Sequence, residues 1–514
     1  MAAQRNPRLV PRVVRYDLVK RTLRRIPVTP KPEHVFGRDR EWETLVRFAA
    51  RPQPGAMLGV VSGRRRQGKS FLLEGLTAAT DGIYFPALQA TEAISLRQFA
   101  DTLMRNGIRV SRPFLDWGDA VSHLFEAIRD EPRVVVIDEF PFLMRATPSL
   151  PSILQRELGP GGSGQSSSAR LILCGSSMAM MGKLLAGQAP LRGRASMEFV
   201  LGPFDYRDAA SFWNVADPRL AAQLHAVVGG TPAYRRELAG FDVPDGLDDF
   251  DAWVTRTVLN PQSPLFREAR YLLAEETEIR DPGIYHSVLA AVAQGNTTSG
   301  GIANFVGRKT AEIAHPLNVL EDSALLTREP DAFRNGRSTY RIAEPLVTFY
   351  QSVMWPIYAR LETGADTASI WADRRATFDK QVLGPHFEAI CRSFAVSTSA
   401  RELFAELPAE VRSGVVNDPR TKSQIQIDVA VLGPPRTDQP RQVLAMGECK
   451  WGERIGPGHV DRLNRARDLL EARGYDVSRT ALLCFSATGG FTKGFDADTG
   501  PNVIPLTLDD LYRS

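Results

Sequence analysis

The chain has 514 residues, of which 43% are hydrophobic and 24% charged, and its formal net charge is +4. This composition is typical of globular proteins, and at about 100–200 residues per domain the length predicts roughly three domains. We expect no membrane span, because no apolar run reaches the about 18 residues that a membrane-spanning helix needs. The four cysteines lie far apart without a C-x-x-C pair. This pattern argues against a disulfide framework or a zinc site and favours a cytoplasmic protein.

Two segments have a biased composition. Between Met1 and Lys31, nine Arg or Lys residues stand against one acid and are interleaved with prolines. Such a segment is either a solvated tail that packs along the body or a basic arm that contacts a phosphate backbone. No apolar stretch follows the charges, so a secretory signal is not expected. The glycine- and serine-rich segment 159–168 predicts a flexible surface loop.

A phosphate-binding motif follows a short apolar segment. Met57 to Ser62 predicts a strand, the next residues match G-x-x-x-x-G-K-S, and a helical pattern then begins. The glycines let backbone N–H groups turn toward phosphate oxygens, and the helix N-terminus adds its dipole. Lys69 is expected to reach the β- and γ-phosphates of ATP, and the Ser70 hydroxyl to bind Mg²⁺. The predicted ATP-binding residues of this P-loop are Gly63, Arg64, Arg65, Arg66, Gln67, Gly68, Lys69, Ser70 and Phe71.

A second apolar strand, Arg133 to Glu139, ends in two acids. A continuous apolar strand belongs in the centre of a parallel sheet, and its carboxyl end is where α/β sheets bind ligands. Asp138 is therefore expected to hold Mg²⁺ through water, and Glu139 to polarise the attacking water. The alternative is a capped surface turn, which leaves both acids without a cation.

A third strand, Arg170 to Ser177, also ends in polar residues. Ser176 or Ser177 is a candidate sensor of the γ-phosphate, although such serines are also common helix N-caps. Arg192 and Arg194 are candidates for stabilising phosphoryl charge, either within one chain or across the subunits of a homo-oligomer. The alternative is that both are surface arginines.

These motifs resemble those of the archaeal-type ATPases, a branch of the AAA+/STAND class of P-loop proteins. The resemblance also covers Leu191 to Arg194 and the segments Phe36–Glu41 and Gly229–Tyr234. It implies an ATPase core with a helical lid, in which Phe36 and Arg38 lie near the adenine. The family usually has a tyrosine where Arg192 stands, so the resemblance leaves open which arginine faces the nucleotide.

Three helical patterns and two short strands come next. They are 284–292, a segment that opens at Thr297, 309–320, 324–329 and 338–342. Three helices followed by a β-hairpin is the order of a winged helix, and the family resemblance continues through Tyr340 to Pro345. Arg308, Lys309 and Arg337 are suitably placed for the phosphates of DNA. Pro316 is expected to interrupt the third helix, and packing between domains is the alternative to DNA binding.

The last third carries another group of reactive residues. Glu388 lies on a predicted helix, Asp428 on an alternating strand, and Glu448 and Lys450 on the following strand. Residues two apart share one face of a strand, and a hairpin would bring Asp428 to the same place. Carboxylates of this kind bind Mg²⁺ or Mn²⁺, which generates hydroxide for phosphodiester hydrolysis. Lys450 would orient and deprotonate that water.

This arrangement resembles the PD-(D/E)xK nuclease superfamily, which has the restriction-endonuclease fold. Ile427 precedes Asp428, where the superfamily name has proline. The resemblance implies that Glu388, Asp428, Glu448 and Lys450 are catalytic, with Asp428 and Glu448 as metal ligands. The alternative is an inactive domain in which Glu448 and Lys450 form only a salt bridge.

The sequence thus predicts an α/β multidomain protein with a parallel-sheet P-loop ATPase core, a helical lid, a winged-helix middle and a restriction-endonuclease-like C-terminal domain. The expected divisions are a basic arm (1–34), the core (35–205), the lid (206–275), the winged helix (276–360) and the nuclease-like domain (365–514). The leading hypothesis is an ATPase that controls a Mg²⁺- or Mn²⁺-dependent nuclease acting on DNA. The alternative is a STAND-like regulatory ATPase whose last domain binds without cutting.

Overall fold

The computed structural model describes residues 29–274, 282–364, 366–404, 406–493, 495 and 502–513. The predicted basic arm therefore lies outside the described residues up to position 28. Within the described ranges, no helix combines the length and apolarity needed to cross a membrane. All four cysteines are buried and free.

A five-stranded sheet forms the centre of the first unit. Its strands are β1 Met57–Ser62, β2 Ile83–Pro86, β3 Arg133–Asp138, β4 Ala169–Gly175 and β5 Ala195–Val200. All neighbouring pairs are parallel, which confirms the predicted parallel-sheet core. The spatial order is β2-β3-β4-β1-β5, so β4 separates the P-loop strand from the strand that ends in Asp138. Every residue of β1 and β4 is buried, which explains their continuous apolar sequences.

Helices cover both faces of this sheet. They are α1 Asp39–Ala49, α2 Lys69–Ala79, α3 Glu92–Arg105, α4 Trp117–Ala127, α5 Phe140–Ala146, α6 Leu150–Glu157 and α7 Met178–Leu185. The side chains of β1 alternate between two apolar clusters, with Leu58 and Val60 in one and Met57 and Val61 in the other. The helices on each face of the sheet therefore pack against a separate apolar core.

The segment 159–168 differs from the flexible surface loop predicted for it. It contains a 3₁₀ turn at Ser163–Ser166, and the Ser163 hydroxyl donates to Glu157 at 2.8 Å. Ser167 is buried, and its hydroxyl donates to the carbonyl of Ile128 at 2.7 Å. Hydrogen bonds from these serines to neighbouring helices hold the segment in place, which its composition alone does not predict.

The lid and the middle unit share one apolar core. The lid helices are α8 Tyr206–Trp213, α9 Pro218–Val228, α10 Phe250–Arg256 and α11 Pro264–Ala274. The middle elements are α12 Pro282–Ala293, α13 Ser299–Val306, α14 Thr310–Asp322, β6 Leu326–Pro330, β7 Ser338–Ile342, α15 Pro345–Phe349 and α16 Tyr358–Glu362. Short 3₁₀ or π-helical turns are at Tyr234–Leu238, Leu247–Asp249, Tyr350–Met354 and Trp355–Ile357.

Helix α14 runs through Pro316 without a break, so the expected interruption is wrong. A proline inside a helix removes one hydrogen bond. Here Pro316 is buried, and Ile313, Leu317 and Leu320 on the same side pack into the shared core. Tertiary packing of the apolar face therefore outweighs the lost hydrogen bond.

The last unit is built on a five-stranded mixed sheet. Its strands are β8 Glu410–Asp418, β9 Ser423–Leu432, β10 Val443–Lys450, β11 Ala481–Ser486 and β12 Val503–Thr507. Its helices are α17 Thr367–Thr377, α18 Gly384–Val396, α19 Pro457–Glu471 and α20 Leu508–Tyr512, with short turns at Phe378–Leu383 and Thr398–Leu403. The order is β12-β11-β10-β9-β8, in which the first two pairs are parallel and the other two antiparallel. Helix α19 makes the crossover that the parallel step from β10 to β11 requires.

The hairpin of the middle unit docks on this sheet. The loop between β6 and β7 inserts Phe333 into the core of the last unit over Gly414, where a Cβ would lie 2.6 Å from the ring. The N–H of Ala332 donates to the carbonyl of Ser413 at 3.0 Å. The hairpin loop therefore packs between units, which is the alternative that the sequence offered to DNA binding.

Two partly buried histidines join the lid to the last unit. His225 of α9 and His386 of α18 lie 2.8 Å apart, from Nδ1 to Nε2. Burial lowers the pKa of His225 to about 4, an effect that Asp205 partly opposes. Burial also lowers the pKa of His386, and nearby Arg341 adds to that shift. Both rings are therefore neutral in the folded protein at neutral pH.

We expect this pair to make stability depend on pH. In the unfolded chain both histidines protonate below about pH 6.5, so the unfolded state binds more protons than the folded state. The free energy of unfolding should fall as the pH drops from about 7 toward 4, by up to roughly 1.4 kcal/mol per pH unit for each histidine. Chemical denaturation at several pH values measures this slope, which His225→Gln/His386→Gln should flatten. The exposed His315 provides the control variant, His315→Gln; equal slopes in all three proteins would contradict the prediction.

Candidate functional site

The P-loop connects β1 to α2 and encloses the ammonium group of Lys69. This group is buried, and its Nζ donates to the carbonyls of Gly63 at 2.7 Å and Arg64 at 2.9 Å. Burial lowers the pKa of Lys69, since the charged form loses solvation. Position 63 requires glycine because a Cβ there would lie 2.4 Å from the carbonyl oxygen of Leu201. The loop thus holds a cation at its centre with its own carbonyl groups.

The carboxylate of Asp138, at the end of β3, collects hydrogen bonds from its neighbours. Ser70 Oγ donates to Oδ2 at 2.6 Å, and the hydroxyl of Tyr84 on β2 donates to the same oxygen. The N–H of Glu139 donates to Oδ1 at 2.9 Å. Burial acts to raise the pKa of Asp138, but these donors and the Cys174 thiol together lower it. Because the Ser70 hydroxyl donates its hydrogen bond to Asp138, the lone pairs of the serine oxygen remain for a cation such as Mg²⁺.

Glu139 has a left-handed backbone conformation with φ 52°, which is uncommon for a residue with a side chain. Its carboxylate faces the end of β4, where Ser176 Oγ lies 3.0 Å from both carboxylate oxygens. The predicted sensor and the predicted water-polarising acid are therefore in direct contact. Ser177 stands instead at the N-cap position of α7.

A cleft of about 480 Å³ opens beside the P-loop, between the core and the lid. The lining residues predicted from the sequence are Phe36, Arg38, Arg65, Arg66, Gln67, Gly68, Lys69, Ser70, Phe71 and Glu139. Lining residues that were not predicted include His34, Phe204, Phe212, Pro232, Ala233 and Arg236. The cleft therefore joins the phosphate-binding loop to an aromatic wall and to the lid.

The aromatic wall is fixed by Arg38. The ring of Phe36 packs at 5.6 Å from Phe204 and 5.3 Å from Phe212, measured between centroids. The Arg38 guanidinium lies 4.3 Å from the centre of the Phe204 ring and donates to the carbonyl of Gly202 at 2.7 Å. Arg38 thus positions the wall that the family resemblance assigns to the adenine.

Arg236 reaches the cleft from the lid. Its guanidinium lies 4.9 Å from the centre of the Phe71 ring. Arg236 stands two residues after the Gly229–Tyr234 motif, so the motif is the sequence signal that could have indicated a residue near the cleft. Its direction depends on the π-helical turn at Tyr234–Leu238, which an α-helical periodicity does not predict.

The two arginines that are candidates for stabilising phosphoryl charge lie outside the cleft. Arg192 and Arg194 are exposed ahead of β5, and neither is among the described residues that line the cleft. Arg192 donates instead to the carbonyl of Gly187. This position fits the alternative that both are surface arginines, and a role across the subunits of a homo-oligomer stays a prediction. Arg64 also points away from the cleft, toward Glu344 at 2.9 Å.

The acids predicted on α18, β9 and β10 meet in the last unit. The register of β9 and β10 brings Asp428 beside Glu448, and both are buried. Burial raises the pKa of Asp428, and the charge of Glu448 adds to the shift. Burial also raises the pKa of Glu388 to about 8, with a further contribution from the charge of Asp428. The neighbouring carboxylate charges thus add to burial in disfavouring ionisation of Asp428 and Glu388.

Cationic side chains neutralise part of this acid cluster. Lys450 Nζ lies 2.8 Å from Glu448 Oε1, and Arg462 of α19 contacts the same oxygen. Arg392 lies 3.7 Å from Glu388 and donates to the carbonyl of Asp428 at 3.0 Å. In the part of the chain that the structure describes, no three His, Cys, Asp or Glu residues are grouped so as to hold a metal ion.

No protein-family model matches the chain. It is 26% identical over 342 residues to the uncharacterized protein MJECL04 of Methanocaldococcus jannaschii. The aligned region covers 66% of this chain and 72% of that protein. The Walker-type ATPase PABY2304 of Pyrococcus abyssi is 20% identical with a TM-score of 0.47, covering 62% of this chain and 97% of that one. The Aeropyrum pernix ORC2 protein in ADPNP–ADP complexes is 14% identical with a TM-score of 0.42, and the match covers 68% of this chain and 97% of that one. These similarities do not assign the chain to a family.

We expect Ser176→Ala to bind ATP normally and to hydrolyse it about 10–100-fold more slowly, because Glu139 loses a charge-assisted hydrogen bond that fixes its carboxylate. Ser176→Thr keeps the hydroxyl and should retain most of the activity. Phosphate release at saturating ATP measures the effect, and Ser177→Ala is the matched control. Equal loss in Ser176→Ala and Ser177→Ala would contradict a specific role for Ser176.

Proposed function

We propose that this protein binds and hydrolyses ATP·Mg²⁺ at the P-loop, and that the nucleotide state controls a metal-dependent nuclease in the last unit. The observation that carries the proposal is the hydrogen bond from Ser70 to Asp138 beside the buried Lys69. Ser70 would bind Mg²⁺ directly, with Asp138 acting through water, and Lys69 would bind the β- and γ-phosphates. When bound, Mg²⁺ neutralises charge on the phosphates.

The other residues of the cleft fit this proposal. Glu139 would polarise the attacking water, and its contact with Ser176 supports a fixed direction for that carboxylate. Phe36 offers an apolar face to a purine base. Arg236 would add positive charge from the lid side, where closure of the cleft excludes water.

The nuclease part of the proposal depends on the acid cluster. The buried carboxyl groups of Asp428 and Glu448 lie side by side, and a divalent cation would neutralise their charge, so these two residues are the expected ligands for Mg²⁺ or Mn²⁺. The cation would supply a hydroxide for phosphodiester hydrolysis. Glu388 would complete the acid set, and Lys450 would orient the water beside Glu448.

DNA is the proposed substrate of this unit. Strands β9 and β10 run antiparallel, so the start of β9 lies beside the end of β10. The turn between β8 and β9 is therefore at the same end of the strands as the residues that follow β10. The exposed basic residues in these segments, in the first turns of α19 and in the loop after β11 are Arg420, Lys422, Arg454, Arg462 and Lys493, and two exposed acids, Glu453 and Asp461, lie among them. A concentration of cations beside the acid cluster supports binding of a phosphate backbone.

A second candidate function is a STAND-like regulatory ATPase whose last unit binds a partner without cutting. The observation that supports it is the pairing of Glu448 with both Lys450 and Arg462. A carboxylate with two cationic partners must exchange one of them for a metal ion before it can take part in hydrolysis. The two candidates share the ATPase and differ only in cleavage.

The ATPase is tested with Glu139→Gln, which should bind ATP like wild type and lose hydrolysis by about 10²–10⁴-fold, since an amide cannot accept a proton from water. Calorimetric titration and phosphate release measure the two properties separately. Lys69→Ala is the companion variant, and it should lose tight ATP binding itself. Wild-type phosphate release by Glu139→Gln would show that another group activates the water.

The nuclease is tested with Glu448→Ala, which should lose cleavage and keep ATP hydrolysis, because its P-loop is unchanged. A plasmid-nicking assay with Mg²⁺ or Mn²⁺ compares ATP, ADP and no nucleotide. Glu453→Ala, at an exposed acid close to the same strand, is the matched control. Cleavage by wild type that is equal in all three nucleotide states would reject nucleotide control, and no cleavage in any state would favour the regulatory ATPase.

A further inference from the structure

Two arginines of the P-loop form ion pairs with buried carboxylates of other units, and of these only Arg66 lines the cleft. Arg64 Nη1 lies 2.9 Å from Oε2 of Glu344, in the turn between β7 and α15. Arg66 forms an ion pair with Glu268 of α11. Glu344 and Glu268 are only 3% and 2% exposed. Desolvation offsets much of the attraction within such pairs, so their contribution to stability is a weak explanation for their presence.

Glu344 contacts the P-loop and the lid at once. Burial raises its pKa, while the Arg64 guanidinium and a hydrogen bond from Tyr234 of the lid oppose that shift. The next residue, Pro345, packs so closely on the lid that a Cβ at Gly229 would lie 3.0 Å from the proline ring. The turn of the middle unit is therefore fitted between the P-loop and the lid motif.

The same loop residues hold Lys69. The carbonyl of Arg64 accepts a hydrogen bond from Lys69 Nζ at 2.9 Å. Arg64 therefore holds Lys69 through its carbonyl group and Glu344 through its side chain. Arg66 has a left-handed conformation with φ 68°, which is uncommon for a residue with a side chain, so the second ion pair lies at a constrained point of the loop backbone.

We propose that Glu344 and Glu268 are positioning residues of the nucleotide site, which preform the P-loop through Arg64 and Arg66, and that the Glu344 pair makes ATP affinity depend on docking of the middle unit. This inference rests on the proposed ATP binding. A preformed loop binds its ligand more tightly because less ordering accompanies binding. By linkage, ATP strengthens the docking of the middle unit by the factor by which docking strengthens ATP binding.

The docked turn continues toward the acid cluster. Arg341, on β7 just before this turn, lies 2.7 Å from Glu329 of β6. Glu329 also lies 3.9 Å from Arg392, which contacts Glu388 at 3.7 Å. Consecutive ion pairs therefore connect the strand that leads into this turn with the acid cluster.

The first experiment measures ATP affinity by calorimetry on the full chain. Glu344→Gln keeps the size of the side chain and removes its charge, and Arg64→Met removes the opposite charge. Each variant should bind ATP about 5–150-fold more weakly, and the double variant should lose less than the product of the two effects. Glu362→Gln, which removes an exposed ion pair with Arg270 in the same unit, should bind like wild type. Wild-type affinity in both single variants, or multiplicative losses in the double variant, would overturn the inference.

The second experiment measures the reverse effect of the nucleotide on docking. Hydrogen exchange in the segments 338–349 and 384–396 is compared with and without a non-hydrolysable ATP analogue. Exchange should slow in wild type and in Glu362→Gln but change little in Arg64→Met/Glu344→Gln, which leaves neither charge buried alone and so should fold. If wild type binds ATP but exchange at 338–349 does not slow, the inference is overturned while the proposed ATP binding stands. Failure of wild type to bind ATP would refute the proposed function, and the inference with it.

Discussion

The main constraint on the nucleotide site is the burial of one ammonium group, that of Lys69. A buried charge is stable only when dipoles and opposite charges surround it. The P-loop supplies carbonyl groups at 2.7 and 2.9 Å, and the parallel strand β3, which β4 separates from the P-loop strand, ends in Asp138 and is followed by Glu139. The order of the sheet satisfies this need, because parallel strands bring their carboxyl ends to one edge. Ser70, Tyr84 and Ser176 then fix the two acids around the lysine.

The parts of this site that were predictable from the sequence are those set by local pattern. The P-loop, the apolar strand before Asp138 and the period-two pair Glu448 and Lys450 each follow from residues that are close along the chain. Arg392, one helical turn after Glu388, belongs to the same class and was overlooked. Its spacing alone places it beside that acid.

The remaining features depend on contacts between residues that are distant in the sequence. Arg236 enters the cleft through a π-helical turn, and Glu139 faces Ser176 through a left-handed backbone conformation. Neither conformation has a reliable sequence signal. The continuity of α14 through Pro316 and the ordered segment 159–168 were mispredicted for a related reason, since packing against other elements outweighed local propensity.

The insertion of Phe333 over Gly414 has a consequence for association between molecules. Strand β8 lies at the edge of the last sheet, and an uncovered edge strand can pair with a strand from another molecule. The hairpin loop covers part of this edge and uses the carbonyl of Ser413 for its own hydrogen bond. The middle unit thereby protects the last unit from intermolecular strand addition. A fragment that begins after the hairpin would lose this protection and would be prone to aggregate through β8.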